Sequence, residues 1–317
     1  MRKCVLITGG FGYIGSQIAH SLFSEKDYTI HLASRNPQRY EFFLPEAKRV
    51  ELDLLRPETF PAVLDGVQLV VHLAALNENE SLISPHDAML VNSLGTYHLL
   101  QAAIDANVER FIYFSTAHIY GAPLSGHLTE KSLPKPIHPY AITHRVAEDL
   151  VLAAHDKNEL IGIVIRLSNG IGACLHQNIS RWTLLVNDLC SQIVHTGQMV
   201  LKSNGLQQRN FITLDDVGRA VVHLLSLSRQ ECVDGVFNLG GENSFSILEM
   251  AQKVGERCQH IMGTSPSLIC PNAAINEEAF NANLFYDCSK IKRTGLQLTN
   301  EIDRAIDETL QAAIHYC

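Results

Sequence analysis

Three glycines carry the first chemical expectation. The run Cys4-Val5-Leu6-Ile7-Thr8-Gly9-Gly10-Phe11-Gly12-Tyr13-Ile14-Gly15 sets Gly9, Gly12 and Gly15 directly after an apolar stretch and at the start of an amphipathic one. Gly9 permits a tight turn and Gly12 lets a pyrophosphate approach the backbone. Gly15 lets the following helix lie close to a sheet, and the helix N-terminus offers N–H donors and a partial positive charge. In a strand–turn–helix setting this pattern predicts dinucleotide binding, with Tyr13 and Ile14 in the same contact. The second strand ends Leu32-Ala33-Ser34-Arg35 with no acid. An acid there would take a ribose 2′-OH, whereas a base accommodates a 2′-phosphate, so Ser34 and Arg35 lean toward NADP over NAD. Asp53 and Leu54, ending the third strand, are placed to meet the adenine edge.

These groups need a scaffold, and the hydrophobic pattern supplies one. Short apolar runs at Cys4–Thr8, Thr29–Ser34, Val50–Leu54, Leu69–Ala74, Phe111–Ser115 and Ile161–Leu167 read as strands. Their near-continuous Val, Ile and Leu content is that of strands covered on both faces. Helical stretches alternate with them, notably Tyr13–Ser24, Asp87–Asn107 and Tyr140–Asp156, which argues for a parallel sheet with helices on both sides. Further on, Arg181–His195 reads as a helix, Met199–Lys202 and Phe211–Leu214 as strands, and Asp215 or Asp216 as an N-cap. Val236–Leu239 is another strand, and Ser246–His260 and Glu301–His315 are helical. The expected fold is α/β: a Rossmann-type doubly wound parallel sheet with a smaller, interleaved C-terminal substrate-binding domain. Residues 1–168 form the dinucleotide domain with 209–240 returning to it, and 169–208 and 241–317 form the substrate domain.

Composition bounds the partners. The chain has 317 residues, of which 46% are hydrophobic and 18% charged, enough for a large core. Twenty-five Lys plus Arg against 33 Asp plus Glu leave a net charge of −8, without the basic excess of a nucleic-acid binder. No stretch approaches the ~20 apolar residues of a membrane span. The basic start Met1-Arg2-Lys3 is followed by too short an apolar run for a signal peptide. The eight cysteines include no C-x-x-C pair and share no ligand spacing with a His cluster, so no metal site is expected. They read as small buried hydrophobes in a reducing compartment, and the protein as cytoplasmic.

Several motifs taken together resemble one family. They are Thr8-Gly-Gly-x-Gly-x-x-Gly15, Val71-His72-Leu73-Ala74-Ala75, Asn92-Ser-Leu-Gly-Thr96, and Phe114-Ser115-Thr116-Ala117-His118-Ile119-Tyr120-Gly121 followed by Pro139-Tyr140. Arg166-Leu-Ser-Asn169, Gln208-Arg209-Asn210-Phe211 and Phe237-Asn238-Leu239-Gly240 extend the likeness nearly end to end. The chain looks like an extended short-chain dehydrogenase/reductase, and more narrowly like the nucleotide-sugar epimerase/dehydratase branch. The resemblance implies that Tyr140 is the acid/base toward a sugar hydroxyl and that Thr116 bonds the same oxygen. It implies that Leu73, Ala74, Ala75 and Asn92 line the cofactor. A nucleotide-diphosphate sugar is the implied substrate, with His118 and Asn169 in its pocket and Arg209 on its diphosphate. A homodimer built through the Asp87–Asn107 and Tyr140–Asp156 helices is also implied.

One position departs from the family. A lysine one turn after the tyrosine holds the ribose and lowers the tyrosine pKa; here it is His144. Tyrosine titrates at about 10 unperturbed and imidazole at about 6.5. Three readings are open: His144 is a weaker or protonated substitute, the reaction needs less base strength, or catalysis is lost and the chain is an NAD(P)-binding sensor. Dehydratases of the branch carry Asp-Glu where this chain has Ala117-His118, which counts against 4,6-dehydration. Sugar 4-epimerisation and 4-keto reduction both stay open.

Overall fold

The computed structural model describes residues 2–40, 44–179, 181–270 and 283–316. In chain order the strands are β1 (Lys3–Thr8), β2 (Tyr28–Ser34), β3 (Lys48–Glu51), β4 (Leu69–His72), β5 (Arg110–Thr116), β6 (Gly126–Leu128) and β7 (Ile161–Leu167). Then follow β8 (Asn169–Ile171), β9 (Gln198–Val200), β10 (Gln208–Thr213), β11 (Val236–Leu239), β12 (Ser244–Ser246), β13 (Ser267–Ile269) and β14 (Leu284–Tyr286). The first helices are α1 (Tyr13–Glu25), α2 (Phe60–Leu64), α3 (Glu78–Ile83), α4 (Pro85–Ala88), α5 (Thr96–Asp105) and α6 (Pro139–Asp156). The remainder are α7 (Leu185–Thr196), α8 (Leu214–Ser226), α9 (Arg229–Cys232), α10 (Ile247–Met262), α11 (Ser289–Lys292) and α12 (Ile302–Tyr316).

Seven strands make one parallel sheet in the order β11-β7-β5-β4-β1-β2-β3. Every residue of β4 and β5 is buried, as continuous apolar runs between two helical layers require. One core lies between the sheet and α1 and α8, where Ile18, Leu22, Val221 and Leu224 meet Val5 and Ile7. A second lies on the opposite face, with Leu99, Ala103, Ala147 and Val151 over Leu6, Val70 and Phe111. A third belongs to the smaller half, where α7, α10 and α12 bury Leu189, Met250, Val254, Ile306 and Leu310 together. The order of strands reverses between β1 and β4, and the crevice at that reversal opens beyond their C-terminal ends. This is the doubly wound α/β fold that the strand and helix pattern predicts.

Several local expectations shift. The third strand stops at Glu51, so Asp53 and Leu54 lie in the turn after it. The single helix expected over Asp87–Asn107 is interrupted: residues 89–95 form a wide π turn between α4 and α5. That turn carries Asn92, whose amide reaches across to Leu76 and to Thr143 of α6. The N-cap of α8 is Thr213, which accepts from the Asp216 N–H, not Asp215 or Asp216. Asp216 instead turns its carboxylate back to the N–H groups of Thr299 and Asn300. The helix expected from Arg181 begins only at Leu185. The short strands β6, β8, β12, β13 and β14 carry too little periodicity to be read from three residues each. Cys4, Cys232, Cys258 and Cys288 are buried thiols, as small core residues should be, and Cys317 lies outside the described residues.

A buried ion pair ties α6 to the sheet. Arg166 of β7 is 3% exposed and Glu148 of α6 is 0% exposed. Arg166 donates to both carboxylate oxygens at 2.9–3.2 Å, to the Tyr120 hydroxyl at 2.9 Å and to the Glu130 carbonyl at 3.1 Å. Removing one partner of such a pair strands the other charge in the interior, which costs about 3–5 kcal/mol. Glu148→Ala is therefore expected to lower the urea midpoint by that much stability, and an unchanged midpoint would contradict the role of the pair.

Candidate active site

The crevice is built from the first turn upward. β1 ends in Thr8, and Gly9 continues at φ +66°, a left-handed conformation that suits glycine. A Cβ on Gly15 would lie 2.3 Å from the Gly9 carbonyl, so only glycine lets α1 start this close to the turn. Gly12 is exposed, and a Cβ there would meet only the Gly9 carbonyl oxygen at 3.1 Å. Gly12 is also the N-cap of α1 and offers no side chain to the first N–H groups, which leaves them for a ligand. These residues fit the diphosphate of a dinucleotide. Tyr13 contributes to this turn through its backbone, because its buried hydroxyl donates to the Gly172 carbonyl at 2.8 Å in the smaller half.

A chain of hydrogen bonds holds the opposite lip. Thr8 Oγ1 accepts from the N–H groups of Leu73 and Ala74 at 3.1 and 3.2 Å and meets His72 Nδ1 at 2.6 Å. His72 Nε2 meets Thr96 Oγ1 at 2.9 Å. Thr96 donates its proton to the Asn92 carbonyl, so Nε2 must donate to Thr96, which leaves Nδ1 to accept from Thr8. His72 is neutral in this arrangement. Burial drives its pKa down to about 3, and the neighbouring His144 adds to the effect. Asn92 accepts from Leu76 N–H at 2.7 Å and donates to Leu76 O and Thr143 Oγ1, so it braces the loop through protein contacts.

At the end of β2, Ser34 Oγ is buried with no hydrogen-bond partner among the described residues, while Arg35 beside it is exposed. Asp53 is half-buried and accepts from the Leu55 N–H at 3.0 Å. Leu54 is buried, Leu73 and Ala74 are half-buried and Ala75 is exposed.

At the other end, Thr116 closes β5 and accepts from the His118 N–H at 3.2 Å. Tyr140 stands in the first turn of α6, a helix begun by Pro139 and capped by His138, which accepts from the Tyr140 N–H. Its ring is half-exposed and lies 4.3 Å from the His144 ring, edge to face. His144 is turned into the protein. It is 3% exposed, its Nδ1 is 2.6 Å from the Tyr113 hydroxyl, and its Nε2 is buried without a protein hydrogen bond. Burial lowers its pKa to about 4, only partly opposed by a bond to the Phe114 carbonyl. Among the described residues no carboxylate contacts the ring, and a charge there would be desolvated, which disfavours a protonated substitute for lysine. Arg145 is turned away to Glu148 and Asp149.

The substrate side is ringed by charges. Desolvation raises the Tyr140 pKa above its usual value; Glu78 raises it further and Arg181 opposes the shift. His118 is half-buried and lowered by desolvation, with Glu78 opposing and Arg209 and His138 adding. Desolvation also lowers Arg209, opposed by Glu78. The charge of Glu78 thus acts on His118, Tyr140 and Arg209 alike. Asn169 opens β8, and its amide donates to the carbonyl of Asn210, the neighbour of Arg209 on β10, at 2.9 Å. Sequence reasoning missed Glu78, Tyr113 and Arg181. Glu78 was within reach, since Asn77 and Glu80 form a capping box that starts a helix at residue 78 immediately after the Val71–Ala75 motif. Among the described residues no cluster of His, Cys, Asp or Glu is disposed to hold a metal ion, and no helix is long and apolar enough to cross a membrane.

The two buried imidazoles set an acid limit on stability. Both are held neutral in the fold but take up protons at about 6.5 when unfolded. Their contribution is complete above that pH and is lost progressively as pH falls toward about 4 for His144 and about 3 for His72. Between pH 7 and 5, His144 alone should remove ~2 kcal/mol. Denaturant titrations at the two pH values should show this loss, with a shallower dependence in His144→Gln. Equal slopes in both proteins would contradict a neutral buried His144.

Comparison with known proteins agrees with this geometry. Residues 5–240 match the model of the NAD dependent epimerase/dehydratase family. The dTDP-D-glucose 4,6-dehydratase of Bos taurus is 28% identical over 268 residues, covering 80% of this chain and 72% of its own length. The GDP-6-deoxy-D-talose 4-dehydrogenase of Aggregatibacter actinomycetemcomitans is 30% identical over 268 residues, covering 81% of each chain. The structure of UDP-N-acetylglucosamine 4-epimerase from Methanobrevibacter ruminantium M1, in complex with UDP-N-acetylmuramic acid, superposes with a TM-score of 0.84 at 20% identity. That match covers 100% of this chain and 99% of the other, a likeness of fold. With its glycine turn, its reversed strand order and its tyrosine-bearing sixth helix, the chain belongs to the NAD dependent epimerase/dehydratase family.

Proposed function

We propose that this protein is an NADP(H)-dependent reductase of a 4-keto nucleotide-diphosphate sugar. The observation that carries this reading is the burial of His144, in contact with no carboxylate among the described residues, in the place of a lysine. Sugar oxidation, the first half of 4-epimerisation, begins by removing a hydroxyl proton and needs a tyrosinate at rest. Tyr140 lacks an adjacent cation on its helix, and burial and Glu78 hold its proton on. A protonated tyrosine is the form that reduction requires.

When bound, the reduced nicotinamide supplies the hydride. Tyr140 gives its hydroxyl proton to the sugar oxygen as the carbonyl becomes an alcohol, and the resulting phenolate regains a proton from water. Thr116 orients the same oxygen by a hydrogen bond. Arg209 offers a guanidinium fork to the diphosphate, with Asn169 beside that end and His118 lining the sugar pocket. Gly9, Gly12 and Gly15 cradle the cofactor diphosphate, and Ser34 and Arg35 suit a 2′-phosphate, which supports NADP. Exposed Met89, Leu94, Tyr97, Ile142 and Val146 on the helical face around α5 and α6 support a homodimer. A binding-only sensor is the second reading, favoured by the same neutral imidazole and opposed by the retained Thr116 and Tyr140.

Mass spectrometry of the bound cofactor, followed by loss of nicotinamide absorbance with 4-keto UDP-, GDP- and dTDP-sugars, separates these readings. Binding without turnover on any of them would favour the sensor. Tyr140→Phe should lower turnover about 10²–10⁴-fold with little change in NADPH affinity. The reduction rate should show no acid limb near pH 6.5, because His144 titrates near 4. It should fall only in alkali, as Tyr140 loses its proton. His144→Lys should raise sugar-alcohol oxidation relative to reduction, and a rate of reduction that climbs steadily with pH would overturn the assignment of Tyr140 as the acid.

A further inference from the structure

The side of His144 away from solvent raises a question the proposed reaction does not answer: what holds an imidazole in this wall, and to what end. Tyr113 lies on β5, 2% exposed, on the sheet face covered by α5 and α6. Its hydroxyl bonds His144 Nδ1 at 2.6 Å, and the two rings are 5.6 Å apart at a tilt of 34°. On its far side the His144 ring packs against Tyr140, with centroids 4.3 Å apart and planes at 61°. Burial raises the Tyr113 pKa, so its phenol keeps its proton. His144 Nε2 is buried and has no hydrogen-bond partner in the protein. The imidazole is thus held by the Tyr113 hydroxyl and the Phe114 carbonyl and presents its ring to the half-buried Tyr140.

We propose that Tyr113 and His144 are a positioning pair: the Tyr113 hydroxyl locks the His144 imidazole, and the locked ring buttresses Tyr140 at the angle from which it reaches the substrate oxygen. His144 then acts through Tyr140 and not as a ligand of the cofactor ribose. The inference rests on Tyr140 being the acid, but the anchoring half stands independently of any reaction.

Two measurements on the full chain test it. In the protein without cofactor, ¹⁵N spectra of the histidine rings should show His144 as one neutral tautomer, and Tyr113→Phe should shift its Nδ1 resonance as the hydroxyl contact is lost and the Phe114 carbonyl contact stays. An unchanged His144 signature in Tyr113→Phe would overturn the anchor. With NADPH and a 4-keto sugar, Tyr113→Phe should lower kcat about two- to tenfold, the worth of one hydrogen bond, with the NADPH dissociation constant unchanged. His144→Phe keeps a ring beside Tyr140 but has no nitrogen to anchor, so adding Tyr113→Phe to it should cost nothing more. Additive losses in that double variant would overturn the pairing. A weakened NADPH affinity in His144→Phe would overturn the inference by making His144 a cofactor ligand. If the tautomer behaves as expected but no keto sugar is turned over, the proposed reaction fails while the anchor stands.

Discussion

Placing an imidazole in a dry protein wall without a carboxylate forces it to stay neutral, because desolvation penalises the charged form and nothing repays it. His144 and His72 both obey this constraint, and His72 lies close enough to His144 for a charge there to lower it further. The chemistry of the crevice follows from it. A cation beside Tyr140 would pull its proton off; a neutral ring cannot. The charges left to act on the phenol come from other elements: Glu78 on α3 and Arg181 in the segment before α7. The proton affinity of Tyr140 is therefore set by charges on other elements instead of along its own helix.

The same neutrality makes the scaffold rigid. A neutral His72 has one donor and one acceptor nitrogen, which lets it link Thr8 at the end of β1 to Thr96 at the start of α5. Asn92 extends the bracing from the π turn to Leu76 and to Thr143 on α6. The glycine turn, the Leu73–Ala74 lip and the helix bearing Tyr140 are thereby parts of one hydrogen-bonded frame. The buried Arg166–Glu148 pair secures the other side of α6 against β7. Such satisfied buried networks specify a single arrangement of polar groups, since a slipped one would leave donors stranded. Groups that must meet a ligand within a few tenths of an ångström need that kind of support.

The acidic balance of the chain looks ill-suited to a phosphate-rich ligand, yet it acts on the whole surface and not on the crevice. In the proposed reading Arg209 and the open N-terminus of α1 lie against the ligand, where their charge outweighs diffuse charge that salt screens over about 10 Å.

The glycine turn and the seven parallel strands were legible in the amino-acid sequence, because each depends on local pattern within a single element, whereas Thr116, Tyr140 and Arg209 were singled out by the family resemblance. Continuous apolar runs report burial on both faces wherever they occur, and residues 140 and 144 share a helix face by periodicity alone. What the sequence could not decide was the state of His144. Spacing placed it one turn from Tyr140, but its protonation depends on Tyr113, thirty-one positions away on a strand, and on the absence of a nearby carboxylate. The π turn at Asn92 and the electrostatic reach of Glu78 and Arg181 to Tyr140 were hidden for the same reason. Each is a property of groups brought together by the sheet and its crossovers, and desolvation has no value until the neighbours that exclude water are in place.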